Sequence, residues 1–290
     1  MERKTIITHG DADGIISARL IQKLFGISDI FFSGPNSISK TIDSMANKKQ
    51  RLIILDIAPT QEVLDKAKAF KEVLWVDHHA KLEIREVPKN VRLVIRQSQS
   101  TAEAISQEFQ FTGNEKIIKI ANEIDTNNVK SQDAERLRDY INYIKETAKG
   151  IIFVPMAKQL INRLDNLNFL SRPEIAFNVV AHKIQEKEKA ENIKPSIVEI
   201  RGEKLAFVEP KMSVPVYEIY KKTNADYLVI LMRKHKGTKI EFRTHSDKDV
   251  LKLAELFKGG GHLHAAGAFT ENVNLSNIRK RIISFIKKKI

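Results

Sequence analysis

Seven carboxylate and imidazole side chains stand at short spacings within the first 80 residues. His9, Asp11 and Asp13 lie in His9-Gly10-Asp11-Ala12-Asp13-Gly14, Asp56 in Leu55-Asp56-Ile57, and Asp77-His78-His79 are consecutive. A single Asp of this kind most often caps a helix or forms a turn, and adjacent histidines are mostly surface residues. Three such segments arriving at one place are another matter. Gathering their carboxylates without a counter-charge costs on the order of several kcal/mol or forces protonation. Divalent metal relieves both. Oxygen-rich, imidazole-poor and thiolate-free donors favour Mn²⁺ or Mg²⁺, with Zn²⁺, Co²⁺ or Fe²⁺ admitted by geometry. Two ions about 3.5–4 Å apart clamp a phosphoryl oxygen, the usual arrangement for phosphodiester hydrolysis.

The elements around these residues predict that they do meet. Apolar runs at Thr5–Thr8, Ile30–Phe32, Leu52–Leu55, Val73–Val76 and Leu93–Ile95 read as buried strands. Helical patterns at Ile15–Leu24, Ser37–Ala46 and Thr60–Phe70 alternate with them, which predicts right-handed βαβ units around a parallel sheet. In open α/β sheets ligands bind beyond the carboxyl ends of the strands, where all three segments fall. From Ser131 to about Lys194 the pattern is mostly helical, with Pro195 as a stop. Strands return at Ile197–Ile200, Leu205–Val208, Tyr227–Met232 and Lys239–Arg243, with helices near Val214–Lys222 and Val250–Phe257 and a basic terminal helix from Asn277 to Ile290. The fold class is α/β: an N-terminal parallel-sheet domain with a helical linker over residues 1–190, and a smaller α/β domain over 196–290.

Composition narrows the function. The 290 residues hold 49 Lys and Arg against 36 Asp and Glu, a net charge of +13, and no Cys. Absence of cysteine excludes disulfides, thiolate metal sites, iron–sulfur clusters and cysteine nucleophiles. No apolar run approaches the roughly 18 residues of a spanning helix, and the N-terminus does not read as a signal peptide. The expectation is a soluble cytoplasmic protein without a membrane role. Beyond residue 120 there are 31 basic and 21 acidic side chains, a skew that suits a polyanion such as nucleic acid.

The order His-x-Asp-x-Asp-Gly, Leu-Asp, Asp-His-His resembles the DHH phosphoesterase superfamily, and Ile124-Asp125 is similar to its fourth motif. The resemblance implies that His9 and Asp11 bind one metal, that Asp13, His78 and Asp125 bind the other, and that Asp56 bridges them. It implies that Asp77 orients its neighbours and His79 contacts substrate phosphate. Gly14 is expected to turn the chain into a helix starting at Ile15, and Ser100-Thr101-Ala102-Glu103 resembles the family's helix-capping segment. A second match lies near the C-terminus. Gly259-Gly260-Gly261-His262, followed by Leu263-His264-Ala265-Ala266-Gly267, resembles the signature of the DHH-associated domain, and Arg243 is similar to its substrate arginine. Consecutive glycines expose backbone N–H groups to phosphate, Arg243 can grip phosphate bidentately, and His262 can donate a hydrogen bond.

The two resemblances cover essentially the whole chain. They imply a two-metal exonuclease of the RecJ or nanoRNase type, with Mn²⁺ ahead of Mg²⁺, that hydrolyses single-stranded DNA or RNA and short oligonucleotides from an end to mononucleotides. A cyclic or linear dinucleotide phosphodiesterase shares this pair of domains. So does a non-catalytic scaffold that holds single strands or a replication or repair protein. Retention of every expected ligand favours the enzyme.

Overall fold

The computed structural model describes residues 4–26, 29–45, 50–79, 84–147, 151–212, 214–244, 248–271 and 273–289. The chain divides into two compact units, residues 1–179 and 180–290. In the first, strands β1 (Lys4–Thr8), β2 (Asp29–Phe32), β3 (Arg51–Leu55), β4 (Glu72–Asp77) and β5 (Val91–Ile95) form one sheet in the order β2-β1-β3-β4-β5. Every neighbouring pair is parallel. The continuous apolar runs have a direct cause, because both faces of this sheet are buried. Ile6, Ile53, Leu55, Leu74 and Val76 pack on one side with helices α1 (Ala12–Phe25), α4 (Thr101–Phe109), α5 (Glu115–Asp125), α6 (Gln132–Glu146) and α7 (Phe153–Arg163). Ile7, Leu52, Ile54, Val73 and Trp75 pack on the other with α2 (Ile38–Asp43) and α3 (Gln61–Ala67). The strand order reverses between β1 and β3, and the crevice outside their carboxyl ends is where this topology binds ligands.

A 3-10 helix (Leu167–Ser171) leads into α8 (Pro173–Glu191), within which the two units divide. Pro195 follows α8 as expected, but the local stop is a side chain. Lys222 Nζ donates to the carbonyls of Ala190, Glu191 and Ile193 at 3.2, 2.8 and 3.2 Å, satisfying acceptors that a helix end leaves open. The second unit has β6 (Ser196–Ile200), β7 (Glu203–Val208), β8 (Tyr227–Lys234), β9 (Gly237–Arg243), β10 (Gly260–Gly261) and β11 (Ala265–Thr270) in the order β10-β11-β9-β8-β7-β6. Among the described residues of this sheet only β7 and β8 pair in parallel. Helix α9 (Val216–Thr223) packs on one side of this sheet, and α10 (Leu251–Glu255) and α11 (Leu275–Lys289) on the other. Among the described residues no helix is long and apolar enough to cross a membrane. Ala46 and Ile290, expected in helices, lie outside the described residues.

Candidate metal centre

The first unit brings His9, Asp11, Asp13, Asp56, Asp77, His78, His79 and Asp125 together around the carboxyl ends of β1, β3 and β4. Helix α1 begins three residues earlier than expected, at Ala12, so Asp11 is its N-cap and Asp13 lies in its first turn. Asp11 Oδ1 accepts from Gly14 N at 3.0 Å while Oδ2 meets His9 Nδ1. One carboxylate oxygen thus caps the helix while the other faces His9. Gly14 sits inside the helix and makes no turn. Its role is close packing, since a Cβ there would lie 2.3 Å from the His9 carbonyl oxygen.

Asp56 occupies the left-handed region at φ 56°, a conformation costly for most side chains and better tolerated by Asp and Asn. Strain of this kind persists only where the surroundings hold it. Asp56 N donates to Val76 O at 3.1 Å, and the buried Trp75 indole donates to Ile57 O at 2.8 Å, which fixes the turn on both sides. Asp56 Oδ2 then lies 3.8 Å from His9 Nδ1, and Oδ1 lies 3.8 Å from His78 Nε2. His78 Nε2 is also 3.7 Å from Asp13 Oδ2 and 3.4 Å from Asp125 Oδ2. Its Nδ1 donates to Ser98 O at 3.2 Å, which turns Nε2 toward the carboxylates. His79 Nδ1 donates instead to Asp77 Oδ1 at 2.7 Å.

Three triads result, each with one donor atom per residue and all three atoms within 4.8 Å of one another: His9, Asp11 and Asp56; Asp13, Asp56 and His78; Asp56, Asp77 and His79. Asp56 is common to all three. Burial, with Asp11, Asp13, Asp125 and Asp77 nearby, holds the Asp56 carboxyl well above its ordinary value. Burial and the carboxylates of Asp13, Asp11 and Asp77 do the same to Asp125, and burial raises Asp13. Burial also acts on Asp11, but the charge and hydrogen bond of His9 outweigh it and lower that carboxyl. Burial opposes a charged His79, yet the hydrogen bond and charge of Asp77 raise its imidazole above the usual histidine value. Among the described residues the buried Oδ2 atoms of Asp56 and Asp77 accept no hydrogen bond. Crowded, desolvated carboxylates with open acceptor atoms fit divalent cations bound through oxygen and imidazole nitrogen.

From sequence, Ser100–Glu103 has only a capping role, and the structure shows more. Ser100 Oγ does cap α4, accepting from Glu103 N at 3.1 Å, and donates to Asn122 on α5 at 2.5 Å. Thr101 N and Ala102 N donate to Asp13 at 2.6 and 2.9 Å, and the Thr101 hydroxyl donates to Asp56 Oδ1 at 3.2 Å. The Ser-x-x-Glu spacing marks the helix start. The contacts to residues 45 and 88 positions away have no local signal.

In the second unit the glycine-rich segment is a hairpin. Gly260 pairs with Gly267 and Gly261 with Ala266, and the turn closes through His262 N to Ala265 O at 2.8 Å. A Cβ on Gly259 would lie 2.2 Å from Gly267 O, and one on Gly261 would lie 2.6 Å from Ala265 O, so both glycines are required by approach to β11. Among the described residues nothing lies within 4 Å of that position at Gly260. Arg243 ends β9, with Nη1 donating to Phe242 O at 2.8 Å and Nη2 to Glu241 Oε2 at 3.4 Å. Glu241, which sequence reading did not single out, also takes Lys239 Nζ at 2.6 Å. The alternation Lys239, Glu241, Arg243 on one strand face was the available signal.

No family model matches the sequence, and no curated protein matches it. Solved structures do. The pGpG-specific phosphodiesterase PggH from Vibrio cholerae superposes with a TM-score of 0.63 at 15% identity, over 99% of both chains. An exopolyphosphatase-related protein from Bacteroides fragilis gives 0.52 at 14% identity, over 99% of this chain and 93% of its own. RecJ in complex with Mn²⁺ from Thermus thermophilus gives 0.53 at 14% identity, over 98% of this chain and 52% of the RecJ chain. The chain has the fold of the DHH phosphoesterases, the fold its own motifs resemble.

Proposed function

We propose that the protein is a metal-dependent phosphodiesterase that hydrolyses short single-stranded oligonucleotides, linear dinucleotides among them, from an end to mononucleotides. The observation that carries this reading is the sharing of Asp56 by three triads of carboxylate and imidazole donors at the sheet's switch point. His9 and Asp11 would hold one divalent ion, and Asp13, His78 and Asp125 the other, with Asp56 between them. Mn²⁺ suits the mixed oxygen and nitrogen donors better than Mg²⁺. Bound there, such ions neutralise the carboxylates and polarise a phosphoryl oxygen. The chain's own residues do the rest: Asp77 orients His79, and His79 donates a hydrogen bond to a substrate phosphate oxygen. Arg243, held beside Glu241, and His262 on the glycine hairpin take further phosphate. Gly260 supports the same reading, since its open face lets a nucleotide lie against the backbone.

The likeness to PggH along both chains supports linear dinucleotides as substrates, and the likeness to RecJ supports longer strands. A cytoplasmic location suits the lack of cysteine, and single-stranded DNA or RNA is the partner that the charge suits. A replication or repair protein is a further expected partner. End-labelled RNA and DNA oligonucleotides of two to about twenty nucleotides, incubated with Mn²⁺ and resolved on a sequencing gel, test the reading. Release of mononucleotides is expected, and no cleavage of any length would overturn it.

A further inference from the structure

We infer that Thr101 is a positioning residue of the metal centre, holding Asp13 and Asp56 in register with each other. The inference rests on the metal-dependent reading above. Asp13 comes from the first turn of α1 and Asp56 from the turn after β3, so nothing in their own elements fixes the distance between their carboxylates. Thr101 does so from a third element. It is fully buried, its N–H lies 2.6 Å from Asp13 Oδ2, and its hydroxyl lies 3.2 Å from Asp56 Oδ1. Threonine hydroxyls in helices commonly bond a nearby backbone carbonyl, whereas this one reaches a side chain 45 residues away.

The consequence is a division of labour within Asp56. Oδ1 is pinned by Thr101, while Oδ2, buried and accepting no hydrogen bond, is left for a cation. A carboxylate fixed before the cation arrives loses less side-chain freedom on binding it, which is how outer-shell partners strengthen metal sites. Asp13 is held similarly, with both oxygens accepting from the first N–H groups of α4. Thr101→Val removes only the Asp56 contact, because its backbone N–H remains on Asp13.

The test is calorimetric titration of metal-stripped protein with Mn²⁺, without substrate, for wild type, Thr101→Ser, Thr101→Ala and Thr101→Val. Loss of the hydroxyl in Ala and Val should weaken Mn²⁺ binding at least about tenfold, and Ser should stay within about threefold of wild type. The metal-free melting temperature of Ala should lie somewhat below that of Ser, since Ala leaves the buried Asp56 Oδ1 without its hydroxyl donor. Should Val fail to fold, the Ser and Ala pair alone decides. Wild-type affinity in Ala, or equal losses in Ser and Ala, overturns the role of Thr101 while leaving the metal reading intact. A wild-type protein that binds no Mn²⁺ overturns the metal reading and this inference with it.

Discussion

His79 Nδ1 lies 2.7 Å from Asp77 Oδ1, so a half-buried imidazole at the rim of the centre is aimed by a carboxylate with no exposed surface. A carboxylate behind a histidine fixes its tautomer and leaves Nε2 to act. If that nitrogen meets substrate phosphate, His79→Ala lowers kcat/KM on a trinucleotide by about a hundredfold. Mn²⁺ affinity should change little in the same variant. Asp77→Asn keeps an acceptor oxygen for the ring and should lose less. Mn²⁺ loss in His79→Ala as large as the loss of activity would make the ring a ligand instead.

Asp56→Asn separates chemistry from folding better than Asp56→Ala. Asn tolerates the left-handed backbone at φ 56°, whereas Ala there adds strain of about 1 kcal/mol. Asn also removes the negative charge shared by three triads. Turnover should fall at least about a thousandfold, while the melting temperature in the absence of metal should be no lower than wild type, because one crowded buried charge is gone. Asp13→Ala should abolish turnover too, but with a lower melting temperature, because two N–H groups of α4 lose their acceptor. Substantial activity in Asp56→Asn with normal metal content would remove Asp56 from the bridging role.

Metal should stabilise the fold as well as activate it. Relief of repulsion among Asp13, Asp56 and Asp125 is available only to the native state, so Mn²⁺ at a hundred times its dissociation constant adds about 2.7 kcal/mol. A scanning melt with and without Mn²⁺ reads this as a rise of several degrees, which Asp56→Asn should reduce. Hydrolysis that continues in excess chelator would sink metal dependence altogether.

The central strands β1, β3 and β4 of the first sheet were legible because burial on both faces leaves continuous apolar runs, as in Leu52–Leu55 and Val73–Val76. Strand ends, and with them His9, Asp56 and Asp77, followed directly. The start of α1 was misplaced because Gly14 reads as a turn residue when only sequence neighbours are considered. Its real constraint is the His9 carbonyl packed against it. The hairpin at Gly260–Gly261 was hidden for a related reason, since glycines carry no side-chain alternation to mark a strand. Thr101 was seen as a cap and no more, because its second hydrogen bond joins elements far apart in the chain.

Glu241 links charge on the second sheet to pH. Burial pushes its carboxyl up, but Arg243 and Lys239 outweigh burial and hold it below the ordinary glutamate value. A carboxyl lowered on folding stabilises the native state above its unfolded value, about 4.3, and that contribution is lost as pH falls from there through the folded value. Urea unfolding of the full chain between pH 7 and pH 3 should show wild type more stable than Glu241→Gln at neutral pH, with the gap closing in acid. Glu241→Gln should also raise KM, because Arg243 loses the partner that holds its guanidinium. A gap that widens in acid would contradict the direction of the shift.

Charge and substrate length together set the salt dependence of binding. Residues 180–290 carry 23 basic and 13 acidic side chains, so this unit holds +10 of the total +13. Each phosphate neutralised by Lys or Arg releases counterions, and the logarithm of the binding constant falls with the logarithm of salt concentration in proportion to their number, by about 0.7 per contact for single strands. A dinucleotide offers one internal phosphate and its ends, so its affinity should vary weakly with salt. A strand of about ten nucleotides should touch more of the basic surface and show the steeper slope. If the Arg243 guanidinium takes one substrate phosphate, Arg243→Ala should lower the slope by roughly one contact. The end itself is tested by topology. A closed circular single strand carries the same phosphates and the same salt dependence but no terminus, so it should bind and inhibit without being cut. Efficient cleavage of the circle would falsify end-directed hydrolysis while leaving the electrostatic contribution in place.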